Sequence, residues 1–214
     1  MINFFTKLLA YIYKRKCYTC AKTFSCDIIC PDCKDKVIQN LSFGSLKKQG
    51  INIYYAAAYR DEIKKIIRAI KYHKKREFAP ILAEMLRSLV EQLKIPVENY
   101  EVCFVPIHPH RFKKRKYNHM ELVANEFARK TNLQVNNNLI TRVKDTPPMY
   151  KLHITERKKA LNNAFKVNFQ NEAGKKIILI DDIVTTGTTV SEIVTSLKKQ
   201  GFKDIIVLSI SCGA

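Results

Sequence analysis

Glycine is scarce in this chain, with 6 in 214 residues, which excludes collagen-like sequence. No apolar run reaches the roughly 18 residues that a membrane-spanning helix needs. Several signatures are also missing. There is no GxGxxG and no loop ending in Gly-Lys-Ser/Thr, which argues against a dinucleotide enzyme or a nucleoside triphosphatase. There is no HExxH, no GxSxG and no recognisable Ser-His-Asp arrangement, so neither a zinc protease nor a serine hydrolase is expected. Acids are the other shortage. Asp+Glu number 19 against 38 Lys+Arg, leaving a net charge of +19. The excess is spread along the chain, not held in one tail. A folded body this basic attracts polyanions: nucleic acid, phosphorylated metabolites or an anionic membrane face. The alternative is Lys on every solvated face.

Apolar residues make up 46% and charged residues 27%, values that exclude wholesale disorder. The length suits one α/β domain with a small appendage, or two small domains. Residues 1–16 read MINFFTKLLAYIYKRK. Ile2, Phe5, Leu8, Leu9 and Ile12 fall at helical spacings, with basic residues after them. A secretory signal has its charges first and a small-residue cleavage site last. The segment therefore reads as a packed terminal helix, with an interfacial helix as the alternative.

The 7 Cys are an odd number. Cys17-Tyr-Thr-Cys20 and Cys30-Pro-Asp-Cys33 form two CxxC turns separated by nine residues. Two such turns aim four thiolates at one tetrahedral Zn²⁺, a closed structural site. Nearby Lys14, Arg15, Lys16 and Lys22 favour thiolates. So short a segment buries too little apolar surface to fold alone, and metal supplies the missing free energy. Redox pairs are the alternative. Cys26 breaks the spacing and is left out. Cys103 and Cys212 read as buried or inert. The absence of a signal peptide points to a reducing cytoplasm.

Residues 176–189 read KIILIDDIVTTGTT. The run Ile177–Ile180 is short, continuous and β-branched, as in a strand buried on both faces of a parallel sheet. Two acids and a Thr/Gly turn follow. Thr189, Val190, Ile193, Val194 and Leu197 then make a helical stripe that Gly201 ends. Ile205–Leu208 reads as a second buried strand. The unit is βαβ, with its turn at the strand C-terminus, where open α/β sheets bind ligands. A helix N-terminus presents free N–H groups and partial positive charge to a phosphate. Thr185, Thr186, Thr188 and Thr189 add hydroxyls, and Gly187 admits the anion to the backbone. Asp181 and Asp182 only accept hydrogen bonds, so they suit sugar hydroxyls. Together these features describe a phosphosugar site. An ordinary capped turn is the alternative.

Two further segments mix basic and aromatic residues. His110–Tyr117 carries five positive charges in eight residues, after the strand Val102–Val105 and before a helix over Met120–Lys130. It reads as a loop on the same side as the phosphate turn. Lys71-Tyr-His-Lys-Lys-Arg76 follows an amphipathic stretch carrying Ile63, Ile66, Ile67 and Ile70. Lys71, Lys74, Lys75, Arg76, Lys113, Lys114, Lys116 and Tyr117 are the candidate nucleic-acid contacts. Charge would track the phosphates and rings would stack on bases. A solvated loop is the alternative. His108, His110, His119 and His153 have no Cys or acid beside them at a ligand spacing, and no catalytic role is expected of them.

IILIDDIVTTGTT resembles the phosphoribosyl-pyrophosphate (PRPP) motif of type I phosphoribosyltransferases. That resemblance implies ribose on Asp181 and Asp182, the 5′-phosphate on Thr185, Thr186, Gly187, Thr188 and Thr189, and Mg²⁺ accompanying PRPP. The Cys₄ knuckle narrows it to the ComF family of competence-associated proteins of DNA uptake. Further similarity lies in Tyr59–Tyr72, Val102–Ile107, Arg115–His119 and residues 142–165, which contain Thr146-Pro147-Pro148, Leu152, Glu156-Arg157 and Ala164-Phe165. The resemblance makes Pro106, Ile107 and His108 the start of a pyrophosphate loop, with Arg111 or Arg115 as charge partners. Departures are Lys116 for Gly, His119 for Gln, Met149 for Gln, Ala160 for Asn and Asn163 for Gly. Thr185 stands where purine-salvage enzymes carry an acid.

The expected fold is α/β: a type I phosphoribosyltransferase-like parallel sheet flanked by helices over 51–214, with an N-terminal Cys₄ zinc knuckle within 1–50. The expected function is a natural-transformation protein that binds PRPP with Mg²⁺ and single-stranded DNA. It would be cytoplasmic, with the inner face of the membrane as the alternative, and with other transformation-machinery proteins as partners. Alternatives are an active phosphoribosyltransferase with an unknown acceptor and a vestigial fold serving as an adaptor.

Overall fold

A computed structural model describes residues 14–25, 27–147, 154–168 and 174–213. The expected terminal helix over 1–16 lies outside them, except that Lys14–Lys16 form strand β1, paired antiparallel with β2 (Thr23–Ser25). Helix α1 (Pro31–Gln39) follows. The main sheet contains β3 (Leu41–Lys48), β4 (Ile51–Ala58), β5 (Tyr100–Phe104), β6 (Gln134–Val135), β9 (Lys176–Val184) and β10 (Ile205–Cys212), in the order β3-β4-β10-β9-β5-β6. The pairings from β4 to β6 are all parallel, and β3 is an antiparallel edge on β4. Strands β7 (Ile140–Arg142) and β8 (Phe165–Val167) form a separate antiparallel pair. The helices are α2 (Asp61–Tyr72), α3 (Ala79–Gln92), α4 (Pro109–Arg115), α5 (His119–Thr131), α6 (Ile154–Leu161) and α7 (Thr188–Lys199).

Ile177 through Ile180 are each 0% exposed, as expected for a strand covered on both sides. Successive side chains of a strand face opposite ways. Ile178 and Ile180 therefore join one core with α2, α3 and α5, while Ile177 and Leu179 join the other with α7 and the β7–β8 pair. The amphipathic expectation for α2 is met: Ile63, Ile66, Ile67 and Ile70 are all fully buried. On α7 the buried stripe contains Val190, Ile193, Val194 and Leu197, with Thr188 in place of Thr189. Gly201 lies just beyond that helix at φ +91°.

The knuckle is not a detached appendage. Cys17, Ile29, Cys30, Cys33 and Val37 belong to the same core as α2 and α3. Tyr18 packs edge-on against Phe78 at 5.4 Å. β3 and β4 join through Gln49 and Gly50, both at positive φ, the geometry of a two-residue hairpin turn whose twist matches the strands. The expected division between residues 50 and 51 falls inside this turn, so the first fifty residues supply a strand to the main sheet.

Candidate functional site

In the knuckle, the ligand atoms of Cys17, Cys20, Cys30 and Cys33 all lie within 4.8 Å of one another. The Cys20 and Cys30 sulfurs are 3.7 Å apart. A tetrahedron of sulfurs about 2.3 Å from Zn²⁺ has edges of about 3.8 Å, so the four thiols fit a structural zinc. The backbone N–H of Cys30 donates to the Cys17 sulfur at 3.3 Å, a contact that favours thiolate. Cys103, fully buried in β5, has its thiol pushed up by burial.

The larger cleft, about 700 Å³, opens at the C-terminal end of β9. Asp181, Asp182 and all of Thr185–Thr189 line it. Gly187 begins α7 at φ +74°. A Cβ there would come within 2.7 Å of the Lys48 Cβ, so glycine is required by both conformation and space. The β3–β4 turn braces the same loop: Gln49 donates to the Thr188 hydroxyl at 3.3 Å and to the Thr186 carbonyl at 3.4 Å.

Strand periodicity separates the two acids. Asp182 continues the face of Ile178 and Ile180, and meets Lys71 of α2 at 2.6 Å and His119 of α5 at 2.5 Å. Arg115 contacts the other ring nitrogen of that histidine at 2.9 Å. A guanidinium only donates, so His119 Nδ1 accepts and Nε2–H donates to Asp182. Burial lowers the pKa of His119, in keeping with a neutral ring. Burial opposes the charge on Asp182, but Lys71 and His119 outweigh it and hold that carboxyl well below the usual range. Asp181 continues the opposite face, toward Arg142. Burial and the neighbouring Asp182 push its carboxyl up to about 7, and it accepts the Asp182 N–H at 2.9 Å.

Cations surround this pair. Lys64, Arg68, Lys71, Arg111, Arg115 and Arg142 line the cleft, and among the described residues these two acids are the only acidic ones lining it. Pro106, Ile107, Arg111 and Arg115 also line it. His108 does not line it; its ring caps α4 by accepting the His110 N–H at 3.3 Å. His110 pairs with Asp145 at 2.7 Å. Arg111 and Arg142 both donate to Thr146, to its carbonyl and hydroxyl respectively.

Several expectations are corrected. The segment His110–Tyr117 is not a loop: it forms most of α4, which ends at Lys116 in the left-handed conformation, φ +67°. Tyr117 is 5% exposed and donates its hydroxyl to the Ile70 carbonyl, so its ring is unavailable for stacking on a base. Lys71 points into the cleft as the partner of Asp182 instead of lying on the surface. Lys74, Arg76, Lys113, Lys114 and Lys116 are exposed and Lys75 is half-buried. The two basic clusters do adjoin, since Arg76 stacks 4.4 Å from the Tyr117 ring and Arg115 lies 5.7 Å from the Tyr72 ring. Pro148, Met149, Leu152 and His153 fall outside the described residues.

Arg68, Arg142 and Tyr59 line the cleft without having been singled out in the sequence. The sequence assigns His119 no role because no acid stands beside it at a ligand spacing; its acid is 63 residues away. Its replacement of the family's usual residue was the available signal.

Residues 122–211 match the family model of the phosphoribosyl transferase domain. With the parallel sheet and the acid pair above a Thr/Gly turn, this defines a type I phosphoribosyltransferase-like fold carrying an N-terminal cysteine cluster. The chain has homologues named Competence protein F and DNA utilization protein YhgH. It is 34% identical to the Haemophilus influenzae Competence protein F over 118 residues, covering 54% of this chain and 50% of that protein. It is 28% identical to YhgH of Escherichia coli strain K12 over 151 residues, covering 68% of this chain and 65% of that one. The chain thus spans half to just under two thirds of these relatives' length. Among solved structures, a glutamine PRPP amidotransferase from B. subtilis is similar at 19% identity and TM-score 0.42, covering 61% of this chain and 25% of that chain. A likeness that distant adds nothing to the family match.

Proposed function

We propose that the cleft binds PRPP with Mg²⁺ and that the protein serves DNA uptake on the cytoplasmic side, handling single-stranded DNA. The observation that carries the PRPP reading is the charge arrangement: six cations and two acids converge on a Thr/Gly turn at the N-terminus of a twelve-residue helix. Such a turn suits a terminal phosphate. Arg111 and Arg115, across the cleft, suit the diphosphate. Asp182 offers lone pairs to ribose hydroxyls once its Lys71 or His119 contact loosens. Mg²⁺ is held largely by substrate phosphates and one or two carboxylates, and of the two cleft acids Asp182 is ion-paired with Lys71 and His119 while no ion pair is described for Asp181. The relatives' names motivate the DNA-uptake setting, and the +19 charge motivates the DNA.

Thermal shift with a ligand series tests the phosphosugar reading. PRPP with Mg²⁺ should raise Tm most, ribose 5-phosphate less, and unphosphorylated ribose not at all. Equal shifts from all anions at matched ionic strength would reduce the cleft to a non-specific basic patch. A second reading, an active transferase with an unknown acceptor, is favoured by the room in the cleft. Pyrophosphate release from PRPP on adding nucleobases, amines or oligonucleotides tests it; no release with any of them counts against turnover.

A further inference from the structure

The zinc knuckle and the cleft share a neighbour, α2, whose outer face runs from one to the other. Its inner face is apolar and fully buried. Lys64, Lys65, Arg68 and Tyr72 project the other way, at spacings that place them along one side of the helix. All four are exposed, Tyr72 by 56%. Among the described residues none of the three cations is paired with an acid. The acids at the start of the helix are engaged elsewhere: Asp61 lies 3.8 Å from Arg60, and Glu62 accepts from Asn40 at 3.3 Å.

The knuckle runs beside this face and is tied to it at two points. Lys65 donates to the Thr19 carbonyl at 3.3 Å, and the Tyr18 hydroxyl meets His73 at 3.0 Å. Between knuckle and helix lies an open depression of about 550 Å³, lined by Tyr18, Thr19, Asp61, Lys64, Lys65, Arg68 and His73. Lys64 and Arg68 line both this depression and the phosphosugar cleft. The two hollows therefore share one basic floor, with rings at Tyr18 and His73 on one side and Tyr72 at the mouth of the cleft.

We infer that the outer face of α2 is the floor of a channel that leads a single nucleic-acid strand from beside the knuckle to the mouth of the cleft. The inference rests on the proposed DNA-handling function and places the strand. Cations in a row without acid partners match a repeating anion, and rings at the surface, Tyr72 and His73 exposed and Tyr18 half-buried, are useful to unstacked bases. Bases inside a duplex could not reach them. The knuckle then acts as a wall, and its metal holds that wall against α2.

Fluorescence anisotropy of a labelled oligo-dT at two salt concentrations tests this. The triple variant Lys64→Ala, Lys65→Ala, Arg68→Ala should weaken binding at least tenfold at low salt. It should also flatten the log–log salt slope by about 2, the loss of three phosphate contacts. Tyr72→Ala should weaken binding about tenfold with the slope unchanged, as expected for a stacking contact. Photocrosslinking of a 5-iodouracil oligonucleotide to the wild type should map to Tyr18 or Tyr72, and this measurement does not depend on any variant folding. If the wild type binds no oligonucleotide, the DNA reading itself fails and the channel with it. If the wild type binds while the triple variant binds equally well, or crosslinks fall only in residues 113–117, the channel is overturned and the DNA reading stands. Equal binding of duplex, or full displacement of oligo-dT by poly-glutamate, would also overturn the single-strand assignment.

Discussion

Replacing Asp181 with asparagine should stabilise the protein, and increasingly so as pH rises. The residue is 8% exposed, and the Lys71 ammonium is paired with Asp182 instead. Burial and Asp182 raise its pKa from the ordinary 3.8 to about 7. An acid with a raised folded-state pKa holds a proton that the unfolded chain has already lost. Folding stability therefore falls as pH climbs from 3.8 toward 7 and levels off above. At about 1.4 kcal/mol per pKa unit, the full cost is at most about 4 kcal/mol. Roughly 2–3 kcal/mol of it should develop between pH 5 and pH 8. Asparagine has the same shape, carries no charge, and still offers an oxygen to the Asp182 N–H. For a chain of this size the gain at pH 8 over pH 5 should appear as roughly 5–10 °C in Tm. The assay is the Tm difference between Asp181→Asn and wild type at unit pH steps. A difference independent of pH, or one that shrinks from pH 5 to 8, would refute the argument that Asp181 is charged at a cost to the fold.

Asp182 predicts the reverse sign. Lys71→Met leaves a buried carboxylate with its main partner gone, and should cost about 3–5 kcal/mol at neutral pH by urea denaturation. The loss should shrink at pH values low enough to protonate Asp182. Gly187→Ala should abolish measurable PRPP binding while the zinc content is unchanged, because the new methyl meets the Lys48 Cβ. Metal analysis should find one zinc per chain. Chelation or Cys30→Ser should lower Tm and loosen Tyr18 from Phe78 and His73, since the cysteines share a core with α2 and α3. An unchanged Tm after complete metal removal would contradict the structural role of the knuckle.

The βαβ unit around the phosphate turn was legible because its signals are local. A strand buried on both faces needs an unbroken apolar run, and a phosphate turn needs its acids, threonines and glycine within a dozen residues. The CxxC pairs are local too. What could not be read is what the fold assembles from distant segments. Lys71 looked like one charge in a surface cluster because its partner Asp182 lies on a strand distant in sequence. Tyr117 looked like a stacking platform because the Ile70 carbonyl that binds its hydroxyl is 47 residues away. Adjacent acids also look like one functional pair, yet the two-residue period of β9 sends them to opposite faces, where one is compensated and the other is not. The place of β3 in the main sheet was hidden for a related reason: it carries a mixed pattern typical of an edge strand and offers no apolar run.

Calorimetric titration of PRPP with Mg²⁺ into the wild type and the Asp181→Asn, Asp182→Asn double variant tests the central claim most directly. The account predicts saturable one-to-one binding by the wild type and its loss in a double variant that remains folded. Absence of binding by the folded, zinc-loaded wild type would contradict it.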